Sequence, residues 1–308
     1  AVGNALLRAG VPVTFVEANP DKVCWGRAHG VRVDGQGPHP ADLIDFADWS
    51  PPAGATVLLC TKCYDNAAVL ARLPASVTVL PIQNGFDRSL DGRGGDLEGI
   101  ASFVSECLPG RTHTRITRNG RLHLGPRRAG AAVAPPDWVA ALRRQAPFRV
   151  EWVPDIRPYK YTKLMYNAAI SPLAAAAGLD NGQLLWLPRA RRLLFALLRE
   201  NYAILRGAGV PLGVIGPFHP DTVQRILRHP ALARALAWAF YPTLKGTYCS
   251  MSGDLPAGRT EIDYYNGHLI ELAGDRPCPL NRQVHALVRR MERERIPPGP
   301  SVLDGLTE

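Results

Sequence analysis

Along the first half of the chain, apolar positions come in short runs between polar, glycine-containing turns. "VPVTFVE" (11–17) reads as a strand, and "TVLLCTK" (56–62) and "SVTVLPIQ" (76–83) are apolar, β-branched runs of the type of buried strands. "LLRAG" reads as a helix end closed by Gly10, and "DNAAVLARL" (65–73) has helical spacing. Strand–helix–strand alternation predicts a parallel sheet with crossover helices. Further strands are expected over "ASFVSEC" (101–107) and "FRVEWVP" (148–154). In "THTRITRNGRLHLG" (112–125), Asn119-Gly120 between alternating residues predicts a hairpin. After Pro158 the period changes. "YTKLMYNAAI", "RRLLFALLRENYAILRGAG", "HPALARALAWAF", "EIDYYNGHLIELAG" and "NRQVHALVRRMERER" all carry helical spacing. The expectation is an α/β half, residues 1–153, followed by an all-α half, residues 154–308.

Composition narrows this picture. A chain of 308 residues suggests one large or two ordinary domains, at roughly 150 residues each. At 46% hydrophobic and 20% charged it is expected to be soluble and globular. The longest small-residue apolar run, "AAISPLAAAAG", is broken by Pro172 and falls short of the ~18 residues of a membrane span. No basic-then-apolar leader opens the chain, which starts as if inside a helix. The net charge of +9 is carried by dispersed arginines, which reads as a solvated surface rather than a nucleic-acid face. Six cysteines in a chain this long are no disulfide framework and fit a reducing cytosol. Cys60 and Cys63 form a CxxC without a second ligand pair, so no metal is expected.

"AVGNALLRAGVPVTFVEANPDK" resembles the first turn of a dinucleotide-binding fold, whose G-x-G-x-x-G loop lets backbone approach pyrophosphate. Gly3 would be the third glycine. The first strand and first two glycines are absent from the chain, and any helix–turn–strand would give the same pattern. Lys62 and Asn84-Gly85 each fall at a strand end, the sheet edge where ligands of such folds bind. Each could also be a solvated strand end. The strand "VPVTFVE" ends at Glu17, where a carboxylate can accept hydrogen bonds from ribose hydroxyls. Ala18 and Asn19 follow, and the nearest base is Lys22, expected to be solvated.

In "YTKLMYNAAIS", Lys163, Asn167 and Ser171 are spaced by four and share one helical face among apolar neighbours. Burial of a lysine lowers its pKa and suits it to give a proton near neutral pH. A lysine snorkelling from a helix start is the plainer alternative. In "GRTEIDYYNG" (258–267), Thr260 fits an N-cap with Asp263 at N3, a capping-box pattern. Asp263 is then structural, while Glu261 at N1 is expected to face outward, free to pair with Lys163 or hold a hydroxyl. "YCSMSGD" offers Ser250 as a neutral donor.

"CTK", "QNG", "KLMYNAAISPL", "SMSGDLPAGRTEIDYYNG" and "CPLNRQVHALV" occur in the order found in ketopantoate reductases. The resemblance covers nearly the whole chain. It implies a Rossmann-like N-terminal domain joined to a helical domain of the 6-phosphogluconate-dehydrogenase-like type, with an active-site cleft between them. The implied reaction is NADPH-dependent reduction of 2-dehydropantoate to (R)-pantoate, on the way to pantothenate and coenzyme A, in the cytoplasm. By that likeness Lys163 would be the general acid. Asn84, Asn167, Ser171, Asn181 and Ser250 would hold the substrate or the nicotinamide end. Gly3, Glu17, Lys62, Cys107 and Glu261, with Asn84, would meet the cofactor. The sequence departs from the family at Ser171, where a second asparagine is usual, in the turn before "TEID", which is one residue shorter than in some relatives, at Ala18, where an arginine for NADPH is often found, and in the incomplete phosphate loop. These departures keep open NAD as cofactor, another 2-keto acid as substrate, and a non-catalytic paralogue. The sequence allows a homodimer.

Overall fold

The computed structural model describes residues 1–93, 95–128, 130 and 133–308, and the chain divides into two units. The first comprises Ala1–Cys60, Ala67–Gln83 and Gly92–Ile156. The second comprises Thr61–Asn66, Asn84–Asp91 and Arg157–Glu308. Two short segments that follow apolar strands, one holding Lys62 and the other Asn84, thus group with the helical residues.

In the α/β unit, the apolar runs become short parallel strands. β1 (Thr14–Glu17) pairs with β3 (Asp42–Asp45), and β4 (Thr56–Leu59) with β5 (Thr78–Pro81), both in parallel. β6 (Leu97–Ala101), β9 (Arg121–Pro126) and β10 (Arg149–Trp152) form a mixed sheet in the order β10–β9–β6. β2 (Arg32–Val33), β8 (His113–Arg118) and β7 (Val104–Cys107) form another, ordered β2–β8–β7. Leu80, Leu122, Leu124 and Val150 from the strands pack with Ala5, Leu6, Val139 and Leu142 from helices Val2–Arg8 and Asp137–Gln145. The region expected as one strand at 11–17 is extended and paired only over its last four residues.

The hairpin expected at Asn119-Gly120 does not form. β8 pairs with β2 and β7, whereas β9 pairs with β6 and β10. A type I′ turn needs positive φ at both central residues, and neither Asn119 nor Gly120 has it. Glycine serves a different purpose here. A Cβ on Gly120 would lie 2.4 Å from the Phe103 nitrogen and 2.5 Å from the Ser102 carbonyl carbon, so only glycine lets the chain pass this close to the β6–β7 connection.

The helical unit is built on the helix Arg157–Ala177, whose face of Leu164, Met165, Ala168, Ala169 and Leu173 is buried. Against it pack helices Pro188–Gly207 and Pro279–Glu294, through Leu193, Leu197, Val284 and Val288. Pro172 interrupts the apolar run in the sequence, but the helix continues through it. Proline lacks the N–H that would bond the carbonyl four residues earlier. That carbonyl, of Ala168, instead accepts from Asn266 Nδ2 at 2.9 Å. Asn266 Nδ2 also donates to Asn281 Oδ1 (2.9 Å), and Asn281 Nδ2 to Asn201 Oδ1 (2.8 Å). Asn201 Nδ2 closes the chain of bonds on the Met165 carbonyl at 2.9 Å. All three asparagines are fully buried, which is tolerable because each is hydrogen-bonded. Among the described residues no helix is long and apolar enough to cross a membrane.

Candidate active site

Residues 263–267 form a π-helical turn, Asp263–Gly267, ahead of the helix His268–Ala273. The two carboxylates of "TEID", Glu261 just before this turn and Asp263 at its start, point in different directions. Glu261, expected to face outward, is turned inward and only 3% exposed. Its Oε1 accepts from the Cys63 N–H at 3.1 Å, its Oε2 accepts from the Tyr265 hydroxyl at 3.1 Å, and Lys62 Nζ lies 3.6 Å from Oε2. A carboxylate buried this far requires such donors, because an uncompensated charge would be expelled to water or protonated.

The capping box expected between Thr260 and Asp263 is not made. Thr260 does act as a local cap, its Oγ1 accepting from the Ile262 N–H at 3.2 Å. The reciprocal carboxylate is Glu292, from the helix Pro279–Glu294, which accepts from both the Thr260 N–H (2.6 Å) and Oγ1 (2.7 Å). The π turn moves Asp263 out of reach of the cap. It is exposed, pairs with His285 at 2.8 Å and lies 3.7 Å from Arg289. The His285 hydrogen bond is the main reason its carboxyl titrates below the usual range.

Two lysines feel the charge of the Glu261 carboxylate, and Lys62 is paired with it. Lys62 pairs with Asp254 Oδ2 at 2.5 Å as well as with Glu261. Burial opposes its charge, but Glu261 and Asp254 outweigh that and raise its pKa. Burial pushes Asp254 up by more than Lys62 pulls it down. Lys163, half-buried on the helix Arg157–Ala177, is brought down to about 8 by burial, with Glu261 opposing the fall. Without that carboxylate the ammonium would be less favourable still. Asn84 joins the same cluster through a hydrogen bond to the Tyr265 hydroxyl.

Of the residues expected at a site, Lys62, Asn84, Lys163 and Glu261 are thus brought together. Asn167 follows Lys163 by one turn on the same face, half-buried, and Ser171, one turn further, is buried. Ser250 is exposed at the start of the short helix Ser250–Asp254, which ends on the Lys62 partner. Asn181 opens the helix Asn181–Trp186 and is tied to Thr247, backbone N–H to carbonyl at 2.9 Å and Nδ2 to Oγ1 at 3.3 Å. In the α/β unit, a Cβ on Gly3 would lie 2.7 Å from the Phe15 ring, so this helix packs against β1 as closely as glycine permits. Glu17 ends β1, and its Oε1 accepts from the Ala18 and Asn19 N–H groups at 3.0 Å each. Lys22, expected to be solvated, is 3.5 Å from Glu17 Oε2. Cys107 is exposed at the end of β7, its thiol donating to the Arg111 carbonyl at 3.0 Å.

Several residues of the site were not singled out from sequence. Tyr265 lies four residues after Glu261, a spacing that brings helical side chains together. Asp254 had no local signal, since its partner is 192 residues away. Lys160 is a second buried lysine one turn before Lys163, with Nζ 4.4 Å from the centre of the Phe86 ring. Phe86 stacks on both Tyr161 and His268, with ring centres 4.4 Å apart in each case, and its N–H donates to the Tyr264 carbonyl at 3.1 Å. This aromatic stack fixes the segment that carries Asn84. Burial, with Lys160 and Arg88, brings His268 down to about 4, so it is neutral near pH 7.

Residues 155–292 match the family model described as the ketopantoate reductase PanE/ApbA C-terminal domain. A 2-dehydropantoate 2-reductase of Archaeoglobus fulgidus is 26% identical over 307 residues, covering 94% of this chain and 93% of the relative. A solved PanE/ApbA family ketopantoate reductase from Ralstonia eutropha superposes with a TM-score of 0.74 at 25% identity, covering 96% and 95% of the two chains. D-mandelate dehydrogenase, solved with NADH, shares the fold with a TM-score of 0.74 at 17% identity, covering 95% of each chain. The class is therefore that of two-domain reductases in which an α/β unit precedes a helical one. Within that class the likeness is to ketopantoate reductases, by the family model over residues 155–292 and by the relatives over most of the chain.

The burial of Glu261 and the exposure of Asp263 set the order of two substitutions. Glu261→Gln is expected to lower the unfolding free energy by roughly 1–3 kcal/mol, because it unpairs buried donors. Asp263→Asn is expected to cost less than about 1 kcal/mol, as exposed ion pairs do. Urea unfolding of both variants measures this, and Asp263→Asn as the more damaging change would contradict it.

Proposed function

We propose that the protein is a 2-dehydropantoate 2-reductase, reducing the 2-keto group to the (R)-alcohol with a reduced nicotinamide cofactor. The observation that carries this reading is Lys163, a half-buried lysine with its pKa near 8, held in the field of a buried carboxylate. The Archaeoglobus fulgidus relative bears the same activity in its name.

In this reading the Lys163 ammonium donates a hydrogen bond to the keto oxygen. As C2 gains a hydride, the oxygen takes the proton from Nζ and becomes the hydroxyl, leaving a neutral amine that water reprotonates. A pKa near the working pH is what a general acid needs, since it must be protonated before the step and able to part with the proton during it. Glu261 keeps enough of Lys163 charged and holds Lys62, which would reach the cofactor ribose. Asn84, Asn167, Ser171, Asn181 and Ser250 would bind the substrate or the nicotinamide end, and Cys107 would line the nicotinamide.

The α/β unit fits a dinucleotide in two respects. The Gly3–Phe15 approach is the close helix–strand packing that the third glycine of such a loop provides. Glu17 ends the first parallel strand with an exposed-side carboxylate, where ribose hydroxyls could donate. A bound reduced nicotinamide would supply the hydride. Six free thiols suit a reducing, cytoplasmic setting. A second reading, reduction of a different 2-keto acid, is favoured by Ser171, whose side chain is shorter than the asparagine usual there.

Lys163→Ala is expected to lower kcat by ~10²–10⁴-fold while leaving the cofactor Kd nearly unchanged. In the wild type the acid is loaded below its pKa, so kcat/KM should fall as pH rises through about 8. That limb should vanish in the variant. Steady-state rates with a panel of 2-keto acids, measured across pH, check both points. More than half of wild-type turnover in Lys163→Ala would remove the lysine from this role.

The second prediction concerns the cofactor. A 2′-phosphate next to Glu17 would meet a like charge, and Lys22 is already paired with that carboxylate. NADH is therefore expected to be used with an efficiency within about tenfold of NADPH (~1.4 kcal/mol). An NADPH preference above about a hundredfold, roughly 2.7 kcal/mol, would mean that Lys22 leaves Glu17 to clamp the phosphate.

A further inference from the structure

The hydroxyl of Tyr265 is buried with its ring, which is 0% exposed, between two groups of the site. It donates its one hydrogen to Glu261 Oε2 at 3.1 Å. A phenol has a single O–H, so once that proton is committed its oxygen can only accept. Asn84 is its other partner, and the contact is of the kind that favours the phenolate, an N–H pointing at the oxygen. The chain of bonds therefore runs in one direction, from the Asn84 amide nitrogen to the Tyr265 hydroxyl to the Glu261 carboxylate. Burial and Glu261 keep the phenol protonated far beyond the working pH, so the direction does not reverse.

We propose that Tyr265 is a positioning residue for the reduction. Its hydroxyl fixes which face of the Asn84 amide is presented to a ligand, and it withdraws part of the Glu261 charge from Lys163. This rests on the reading of Lys163 as the acid. The amide consequence is that Asn84 offers its carbonyl oxygen and remaining N–H outward, rather than flipping between two states. The charge consequence follows from the groups around Glu261. Lys62 pairs with it and Cys63 bonds it from the segment Thr61–Asn66, Tyr265 bonds it from its own turn, and Lys163 on the helix Arg157–Ala177 feels its charge, while Asp254, Asp65 and Tyr64 are the further groups whose charges are coupled to it. The cationic neighbours compete with the phenol for the carboxylate. Removing the phenolic hydrogen bond leaves more of its field on the lysines, which stabilises the Lys163 ammonium.

Tyr265→Phe keeps the buried ring and deletes only the hydroxyl. The chain has five lysines, so ¹³C-labelled lysine gives few side-chain signals, assignable by substitution. The titration midpoint of Lys163 is expected to rise by about 0.5–1 pH unit in Tyr265→Phe, as it would when a neighbouring opposite charge gains weight. KM for the keto acid is expected to rise by roughly 5–20-fold, the loss of about one well-made hydrogen bond to a reoriented amide, with a smaller change in kcat. Site-specific 3-fluorotyrosine at position 265 is nearly isosteric and a stronger donor, and it should move the Lys163 midpoint down. It also decides the matter if Tyr265→Phe does not fold. An unchanged Lys163 midpoint in the variants that fold, or an unchanged KM in Tyr265→Phe, would make Tyr265 a packing residue and overturn the proposal. The titration needs no substrate, so it is read independently even if no 2-keto acid turns out to be reduced.

Discussion

The buried carboxylate of Glu261 is the constraint on which the rest of the site depends. An ionised group at 3% exposure must be surrounded by compensating groups, and these come from separate stretches of chain. The Cys63 N–H and Lys62 come from the segment after β4, the Tyr265 hydroxyl from the π turn, and Lys163 lies close on the long helix. Satisfying one charge therefore assembles the groups that can do chemistry. The same carboxylate then opposes what burial alone would do to Lys163, leaving an acid at about 8 rather than lower.

The π turn at Asp263–Gly267 links this charge to the helical core. A wider turn shifts side chains out of the ordinary helical phase, and such turns recur at functional sites. Here both Tyr265, which bonds Glu261, and Asn266 are buried within the turn. Asn266 takes the carbonyl that Pro172 leaves without a donor and joins Asn281 and Asn201 in a buried chain of bonds. Helix Arg157–Ala177 is thereby fixed at Ala168 and at Met165, one residue past Lys163's neighbour Leu164. A proline that reads as a helix breaker becomes a docking point, because the freed acceptor is filled by a side chain from elsewhere.

Much of this was legible in the sequence, for identifiable reasons. The parallel strands and the helical second half follow from local periodicity, which survives folding. Lys163 and Asn167 follow from spacing on an apolar helix, and the family likeness from extended patterns such as "TEIDYYNG". The first two failures share a cause, which is non-local partnership, and the other two come from local geometry that sequence does not announce. Asn119-Gly120 looked like a hairpin because its local chemistry is that of a turn, but its two strands have other neighbours. Asp263 looked like a cap because it sits three residues after Thr260, but Glu292 takes that place from 32 residues away. Glu261 looked outward because an ideal helix would have put it there, and nothing in the sequence announces a π turn. Lys22 looked solvated because its partner is a strand-end carboxylate that the helix start brings within 3.5 Å.

The central claim is that the Glu261 carboxylate sets the protonation of Lys163, and titration of the lysine itself tests it most directly. With ¹³C-labelled lysine followed by NMR, the wild-type Lys163 signal should titrate at about 8, well below an ordinary lysine. In Glu261→Gln the midpoint should fall further, by about 1 unit or more, because burial would then act without the opposing charge. A wild-type midpoint near the ordinary value of about 10.4, or one that does not move in Glu261→Gln, would contradict the account.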